Sequence, residues 1–359
     1  MRAYFLELMI TPEVKDELLK QQYRIVGNHS VVKICGWTKK SVKGEGGCYK
    51  QKFYGINSHQ CMQISTCLSC ANRCVFCWRG YKAPVSKEWV GEIDDPVEII
   101  EGCLKEQNSL LNGFGGLNNI ELYRESKEVR HAALSLTGEP ILYPQINELI
   151  EELHKRKIST FLVTNAQHPE HIKDLAKVTQ LYLSVDAPNK KLLKEIDVPL
   201  FTDYWERLEK SLDYFAKRKE KTCIRLSMIK GMNMCNPKEY AELIKKGDPD
   251  FIECKGYMFV GSSRQRLSLE NMPYHEEVVE FSKELIKYLP DYEIVSEHIV
   301  SRAVLFSKKT LKRDGKWFIG IDFEKFFEGK EDYSCVIKEV GLSGLGTRDK
   351  MNEKMDSSL

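Results

Sequence analysis

Six times between residues 61 and 260 a short apolar run precedes a stretch of helical pattern, and this alternation constrains the fold more than any other feature. The runs are CMQIST (61–66), HAALSL (131–136), TFLVTN (160–165), LYLSVDAP (181–188), CIRLSMIKG (223–231) and DFIECKGYMFV (250–260). Helices are expected over 96–111, where Pro96 sits in the first turn, and over 144–156, 168–177, 202–219, 237–246 and 275–288. Strands alternating with helices imply right-handed βαβ units and a parallel sheet, hence the α/β class. About six units are too few for a complete eight-stranded barrel but enough for a partial, TIM-like one. In either arrangement ligands bind at the carboxyl ends of strands. Those ends carry Cys70–Cys77, Thr137–Glu139, Thr164–Asn165, Ser184–Asp186, Ser227 and Lys255.

Seven of the twelve cysteines (Cys35, Cys48, Cys61, Cys67, Cys70, Cys74, Cys77) fall within 43 residues. The opening MRAYFLELMITPEVKDELLKQQ carries Glu7 and Glu13 and has no signal-peptide core, so metal or redox chemistry is expected in place of a disulfide framework. The other five (Cys103, Cys223, Cys235, Cys254, Cys335) suit core packing, because free cysteine behaves as a small hydrophobe. CLSCANRCVFCWRG (67–80) parses as two CxxC knuckles, or as Cys70-x3-Cys74-x2-Cys77 with Cys67 left out. Zinc knuckles need a longer connection to fold around one ion. Closely spaced thiolates suit an iron–sulfur cube, whose irons lie on adjacent corners, and three ligands leave one iron open. Upstream, Cys35, Cys48 and Cys61 repeat as C-x12-C-x12-C, and Lys50 follows the middle cysteine by two positions.

Charge is uneven. Residues 1–90 hold 14 Lys+Arg and 6 Asp+Glu, although the whole chain carries a formal net charge of only +2. A basic end suits a polyanionic partner, since each contact with a phosphate releases counterions, and a solvated lysine-rich face is the alternative. No apolar run approaches the roughly 18 residues of a spanning helix.

The Cys-x3-Cys-x2-Cys motif, with Phe76 before its last cysteine, resembles the radical S-adenosylmethionine signature. TGEP at the end of the next strand is similar to that superfamily's glycine/glutamate element, although an ordinary strand-to-helix turn would read the same way. With the three regularly spaced cysteines, the CVFCWR run, SVDAP (184–188) and KGYMFVGSSRQRLSLENMP (255–273), the chain resembles the 4-demethylwyosine synthase family from roughly residue 30 to 310. The resemblance implies a partial radical S-adenosylmethionine barrel over 61–300, an extension over 1–60 bearing a second cluster, and a C-terminal extension and tail over 301–359.

It also implies a reaction. S-adenosylmethionine is chelated by the open iron of a 4Fe–4S cluster on Cys70, Cys74 and Cys77, with Gly138, Glu139, Asn165 and Ser184 as cofactor contacts. Cys35, Cys48 and Cys61 would carry the second 4Fe–4S cluster. The deoxyadenosyl radical would act on the methyl group of N1-methylguanosine in phenylalanine transfer RNA, which is joined to two carbons of pyruvate by a carbon–carbon lyase/synthase reaction. Lys50 would hold the pyruvate fragment as a Schiff base, against the alternative of one more phosphate-contacting lysine beside Lys39, Lys40, Lys43 and Lys52. The methylated base is expected to flip out of its stack, with Trp37, Tyr49, Tyr54, Trp78 and Tyr81 as stacking candidates and Arg264 and Arg266 as phosphate contacts.

Nothing ahead of residue 30 could form the flavodoxin-like domain of eukaryotic family members, so an archaeal-type, monomeric, cytoplasmic protein with an external one-electron donor is expected. The competing readings are another two-cluster radical enzyme with a different substrate, and a zinc-stabilised RNA-binding module. The final LSGLGTRDKMNEKMDSSL is expected to fray.

Overall fold

The computed structural model describes residues 9–80, 82–114 and 119–337, so the C-terminal stretch expected to fray and Tyr81 lie outside the described residues. Ten strands form one sheet in the order β1-β2-β3-β4-β5-β6-β7-β8-β10-β9. They are β1 (Arg24–Val26), β2 (Ser30–Lys33), β3 (Cys61–Ser65), β4 (His131–Leu134), β5 (Ser159–Thr164), β6 (Gln180–Ser184), β7 (Lys221–Met228), β8 (Phe251–Gly256), β9 (Tyr292–His298) and β10 (Ala303–Lys308). β3 to β8 run parallel in chain order, which is the six-unit α/β core expected from the sequence. β1, β2, β9 and β10 extend the same sheet with antiparallel pairs at its two ends.

Before the parallel strands come α1 (Pro12–Lys20), α2 (Gly36–Val42) and α3 (Tyr49–Tyr54). Among them lie α4 (Pro96–Leu111), α5 (Ile120–Glu125), α6 (Ile146–Lys155), α7 (Pro169–Asp174), α8 (Lys190–Asp197), α9 (Tyr204–Phe215) and α10 (Pro237–Gly247). α11 (His275–Ile286) and α12 (Phe323–Phe327) follow β8. α4 shows how local chemistry sets an element. Asp95 caps it by accepting from the amides of Val97 and Glu98 at 2.8 and 3.3 Å, and Pro96 needs no donor there. Ile99, Ile100, Cys103, Gln107 and Leu111 form its buried face. Among the described residues no helix is long and apolar enough to cross a membrane.

Alternation along the strands sorts two faces. Leu183, Ile224 and Ile252 are register partners and join Leu162, Leu226 and Cys254 in the core beneath the helices. The opposite, inner face carries Phe161, Tyr182, Cys223 and Phe251, packed against Tyr49, Phe53 and Tyr54 of α3. Trp317, Ile319, Ile321, Phe326 and Tyr333 close this inner cluster. The Tyr333 hydroxyl donates to the Thr179 carbonyl at 2.9 Å and accepts from the Lys221 amide at 2.7 Å, so this plug lies at the amino ends of β6 and β7. Several strands stop short of the expected runs. β7 ends at Met228, where the Ile229 amide turns to Asn233 Oδ1 at 2.6 Å, and β8 ends at Gly256. The apolar residues beyond them are held by loop packing, which burial alone does not distinguish from a strand.

Candidate active site

The segment after β3 has no regular structure, so its backbone is tied down from outside. Arg73 and Val75 donate their amides to the carbonyls of Asp197 and Ile196 at 2.9 and 2.8 Å, at the end of α8. Arg266 donates to the Val75 carbonyl at 2.9 Å and to the Cys77 carbonyl, and Arg79 Nη1 donates to the Leu68 carbonyl at 3.0 Å. This scaffold gathers Cys70, Cys74 and Cys77 closely enough that the buried Cys70 and the half-buried Cys74 each sense other members of the triad electrostatically. Burial pushes Cys70 up to about 11 and Cys74 well above the ordinary thiol value. Such thiols are poor thiolates by themselves, and an iron cluster supplies the positive charge that reverses this. Among the described residues no three His, Cys, Asp or Glu side chains converge on one ion position. A cube asks for a looser arrangement, because each thiol takes a different iron. Cys67 is fully buried beside Met9, Tyr23 and Leu68, and its thiol also senses Cys70 and Glu139.

The TGEP turn is built against this loop. Gly138 has φ +69°, and a Cβ there would stand 2.0 Å from the Cys67 carbonyl oxygen, so glycine is required twice over. The Glu139 amide donates to the Ser69 carbonyl at 2.8 Å. The Glu139 side chain is 2% exposed, and its Oε2 accepts from the Asn165 amide at 3.1 Å while Oε1 has no partner among the described residues. Burial raises this carboxyl to about 7. An orphaned carboxylate oxygen beside the thiols fits an incoming ammonium group. Asn165 Nδ2 donates to Cys70 Sγ at 3.3 Å, which links the cluster loop to the end of β5. Ser184 ends β6 as the register partner of Arg225.

The second triad is assembled by different means. Cys35 and Cys48 are the residues preceding α2 and α3, and Cys61 opens β3. Cys35 Sγ accepts from the Thr38 amide at 3.3 Å, and Cys48 Sγ accepts from the Ser58 hydroxyl at 3.4 Å. Cys61 senses Cys35, Cys48 and Lys50, and burial raises its thiol strongly. Cys61 therefore stands at the amino end of β3, while the first triad follows its carboxyl end. Four steps of about 3.3 Å along β3 put the two ends roughly 13 Å apart, so the triads lie at different depths of the inner face.

Lys50 reaches that inner face from α3. Its Nζ stands 4.2 Å from the centre of the Tyr182 ring and 5.1 Å from that of Phe161. Burial lowers its pKa, Glu253 opposes the shift, and Arg225 adds to it. Glu253, fully buried, accepts from the hydroxyls of Tyr54 and Tyr182 at 2.8 and 3.2 Å. Sequence reasoning missed Tyr182, Arg225 and Glu253. Their signal was present, since Tyr182 and Ser184, Arg225 and Ser227, and Glu253 and Lys255 alternate with apolar neighbours and mark a polar inner face.

Several expected nucleic-acid contacts are corrected. Tyr49 and Tyr54 are buried in the inner core, and the Tyr54 hydroxyl is committed to Glu253, so neither offers a ring to a base. Arg266 spends its guanidinium on loop carbonyls and holds the cysteine segment. Trp78 is 41% exposed, and Arg264 is exposed with Nε donating to the Phe259 carbonyl at 3.1 Å. Trp37 packs edge-on against His298 at 5.4 Å. Of the five scattered cysteines, Cys103, Cys223 and Cys254 are fully buried, while Cys235 and Cys335 are partly exposed.

Comparison with known proteins adds independent findings. A model of the radical SAM superfamily matches residues 64–244, and one for wyosine base formation matches residues 246–308. The chain is 48% identical over 323 residues to the S-adenosyl-L-methionine-dependent tRNA 4-demethylwyosine synthase TYW1 of Xenopus laevis, covering 89% of this chain and 44% of that protein. It is 45% identical over 348 residues to the Schizosaccharomyces pombe synthase, covering 92% and 51%. The chain thus spans about half the length of the curated relatives it matches. A structure of TYW1 with a lysine-pyruvate adduct bound superposes with a TM-score of 0.76 at 33% identity, over 84% of this chain and 97% of that one. An archaeal TYW1 crystal structure gives 0.70 at 30% identity, over 86% and 99%.

Proposed function

This chain belongs to the 4-demethylwyosine synthase family of the radical S-adenosylmethionine superfamily, and from that premise we propose that it builds the tricyclic base of 4-demethylwyosine from N1-methylguanosine in phenylalanine transfer RNA and two carbons of pyruvate. One observation carries the reading: Lys50, an amine with a lowered pKa, faces the inner surface beside Cys48 and Cys61. A structural relative is described with a lysine-pyruvate adduct, and Lys50 is the residue assigned to that role here.

Cys70, Cys74 and Cys77 would hold a 4Fe–4S cluster, and Cys35, Cys48 and Cys61 a second one. When bound, the first cluster and S-adenosylmethionine supply the radical that opens the chemistry. Glu139 receives the methionine ammonium on its orphaned Oε1, and Gly138 keeps the backbone open for it. Lys50 in its neutral form attacks the keto carbon of pyruvate, so a carbon–nitrogen bond forms. Both amine hydrogens pass to the carbonyl oxygen, which leaves as water, and an imine remains. Phe161 and Tyr182 flank the imine and exclude solvent from it. Electrons come from a separate one-electron donor, and the protein works as a monomer.

The test is mass spectrometry of transfer RNA carrying N1-methylguanosine, incubated anaerobically with the protein, pyruvate, reductant and S-adenosylmethionine. Gain of the two-carbon ring is the expected result. Deoxyadenosine formation without that gain would refute the substrate and leave a two-cluster radical enzyme with another one. A colourless, zinc-containing protein would refute both.

A further inference from the structure

Three basic side chains gather on the inner face around Lys50. Lys50, Arg225 and Lys255 face it, and Glu253 and Asp186 are the carboxylates that act on Arg225. Glu253 is already clamped by two tyrosine hydroxyls through one oxygen. Asp186 is engaged by the Ser227 amide at 3.2 Å, and burial raises its pKa, which weakens it as a counter-charge. Arg225 lies in the middle of β7, register-paired with Ser184 on one side and Glu253 on the other. Its Nε has no hydrogen-bond partner among the described residues. Lys255, two residues beyond Glu253 on β8, donates to the Ser301 carbonyl at 3.3 Å. Burial and the neighbouring Arg225 bring its pKa down to about 8, so the two cations are close enough to repel each other.

A guanidinium whose buried Nε goes unused is costly unless something anionic completes it. The position favours a small anion. Arg225 is acted on by Tyr49 and Tyr182, and Lys255 Nζ stands 5.9 Å from the centre of the Tyr49 ring, so both basic groups serve the inner side that Lys50 enters. A transfer RNA phosphate would have to bring its backbone to that depth.

We propose that Arg225, aided by Lys255, is the seat for the carboxylate of the 2-oxo acid, and that it turns the keto carbon toward Lys50. This rests on the reading of Lys50 as the condensing amine. Arg225 is then a binding and specificity-determining residue, because a guanidinium fork pairs a planar carboxylate through two parallel bonds. A keto compound of equal size without the negative charge leaves the fork unpaired and is rejected.

The experiment uses the holoenzyme with both clusters reconstituted. Pyruvate or its neutral methyl ester is titrated anaerobically in the presence of cyanoborohydride, and the reduced adduct on the Lys50 peptide is quantified by mass. Wild type should favour pyruvate over the ester by roughly 100-fold or more in half-saturating concentration, as expected for a site built around a charged group. Arg225→Gln should bring the two within about fivefold, mainly through weaker pyruvate binding, and Arg225→Lys should fall between because it keeps the charge but not the fork. The ratio is read on folded protein, so partial loss of stability does not imitate the effect. Unchanged discrimination in both variants would overturn the carboxylate seat and leave Lys50 in its role; lower thermal stability alone would then mark an internal Arg225–Glu253 pair. Loss confined to transfer RNA affinity would also overturn it, in favour of a phosphate contact. Absence of any adduct in wild type would overturn the Lys50 reading, and the seat with it.

Discussion

Replacing Gly138 with alanine separates two costs that glycine removes at the cofactor turn. The first is conformational: at φ +69° an L-residue sits in the left-handed region, at about 1 kcal/mol. The second is steric, because the new Cβ would lie 2.0 Å from the Cys67 carbonyl oxygen and 2.7 Å from both Cα and the carbonyl carbon of Leu68. Those atoms are backbone, so no rotamer change relieves the overlap, and overpacking of this kind costs roughly 1–3 kcal/mol. Gly231 provides the control, with φ +77° and nothing within 4 Å of the place a methyl group would occupy. Gly231→Ala should therefore lower the melting temperature by about 2–4 °C, and Gly138→Ala by roughly two to four times as much. Because the shifted backbone carries Glu139 and abuts the cysteine loop, Gly138→Ala should also lose reconstituted iron, while Gly231→Ala keeps it. Thermal melts and iron quantification on the two variants side by side would check this. Equal melting shifts with full iron content in both would refute the close-approach argument.

Three further outcomes are expected. Lys50→Ala should abolish adduct trapping and ring formation yet leave deoxyadenosine production measurable, because Lys50 and the first triad are served by opposite ends of β3; wild-type product from this variant would remove the Schiff-base role. Arg266→Ala should lower iron content in the first cluster and leave the salt slope of transfer RNA binding unchanged, because its donors hold the carbonyls of Val75 and Cys77; an altered slope with full iron would restore it as a phosphate contact. His154, packed on Phe326 and hydrogen-bonded to Thr160 at 2.8 Å, is lowered by burial from 6.5 to about 4. The unfolded chain then binds the extra proton first, so stability present above pH 6.5 should decline as pH falls toward 4, and melting curves of His154→Gln should show a shallower decline over that window.

Much of the core was legible in the residues. The six apolar runs became β3 to β8, and α4 spans Pro96–Leu111 as the proline in its first turn suggested. Other elements carried weaker signals. β9 reads YEIVSEH, a run with charges at both faces, and it is a strand because β10 pairs with it at the end of the sheet. α2 and α3 are seven and six residues long, too short for a helical period to stand out, and each begins at a cysteine that drew attention for its chemistry. α8, whose last residues hold the cysteine loop, lies between 189 and 201, where no element was expected. Arg266 shows the same limit from the other side: basic residues in a loop look like phosphate contacts until the carbonyls they serve are located.

The chain by itself determined the alternation of strand and helix, the spacing of the two cysteine triads and the position of Lys50 two residues after Cys48. These are local properties, set by side-chain period and by the reach of a few residues. Only the tertiary structure decided which groups share the space around that amine. Tyr182, Arg225 and Glu253 come from three strands far along the chain, and they meet Lys50 because parallel register aligns their inner positions while α3 packs across them. The same register left Arg225 Nε without a partner among the described residues. Charge balance inside a fold depends on contacts between distant segments, and no spacing along the sequence encodes it.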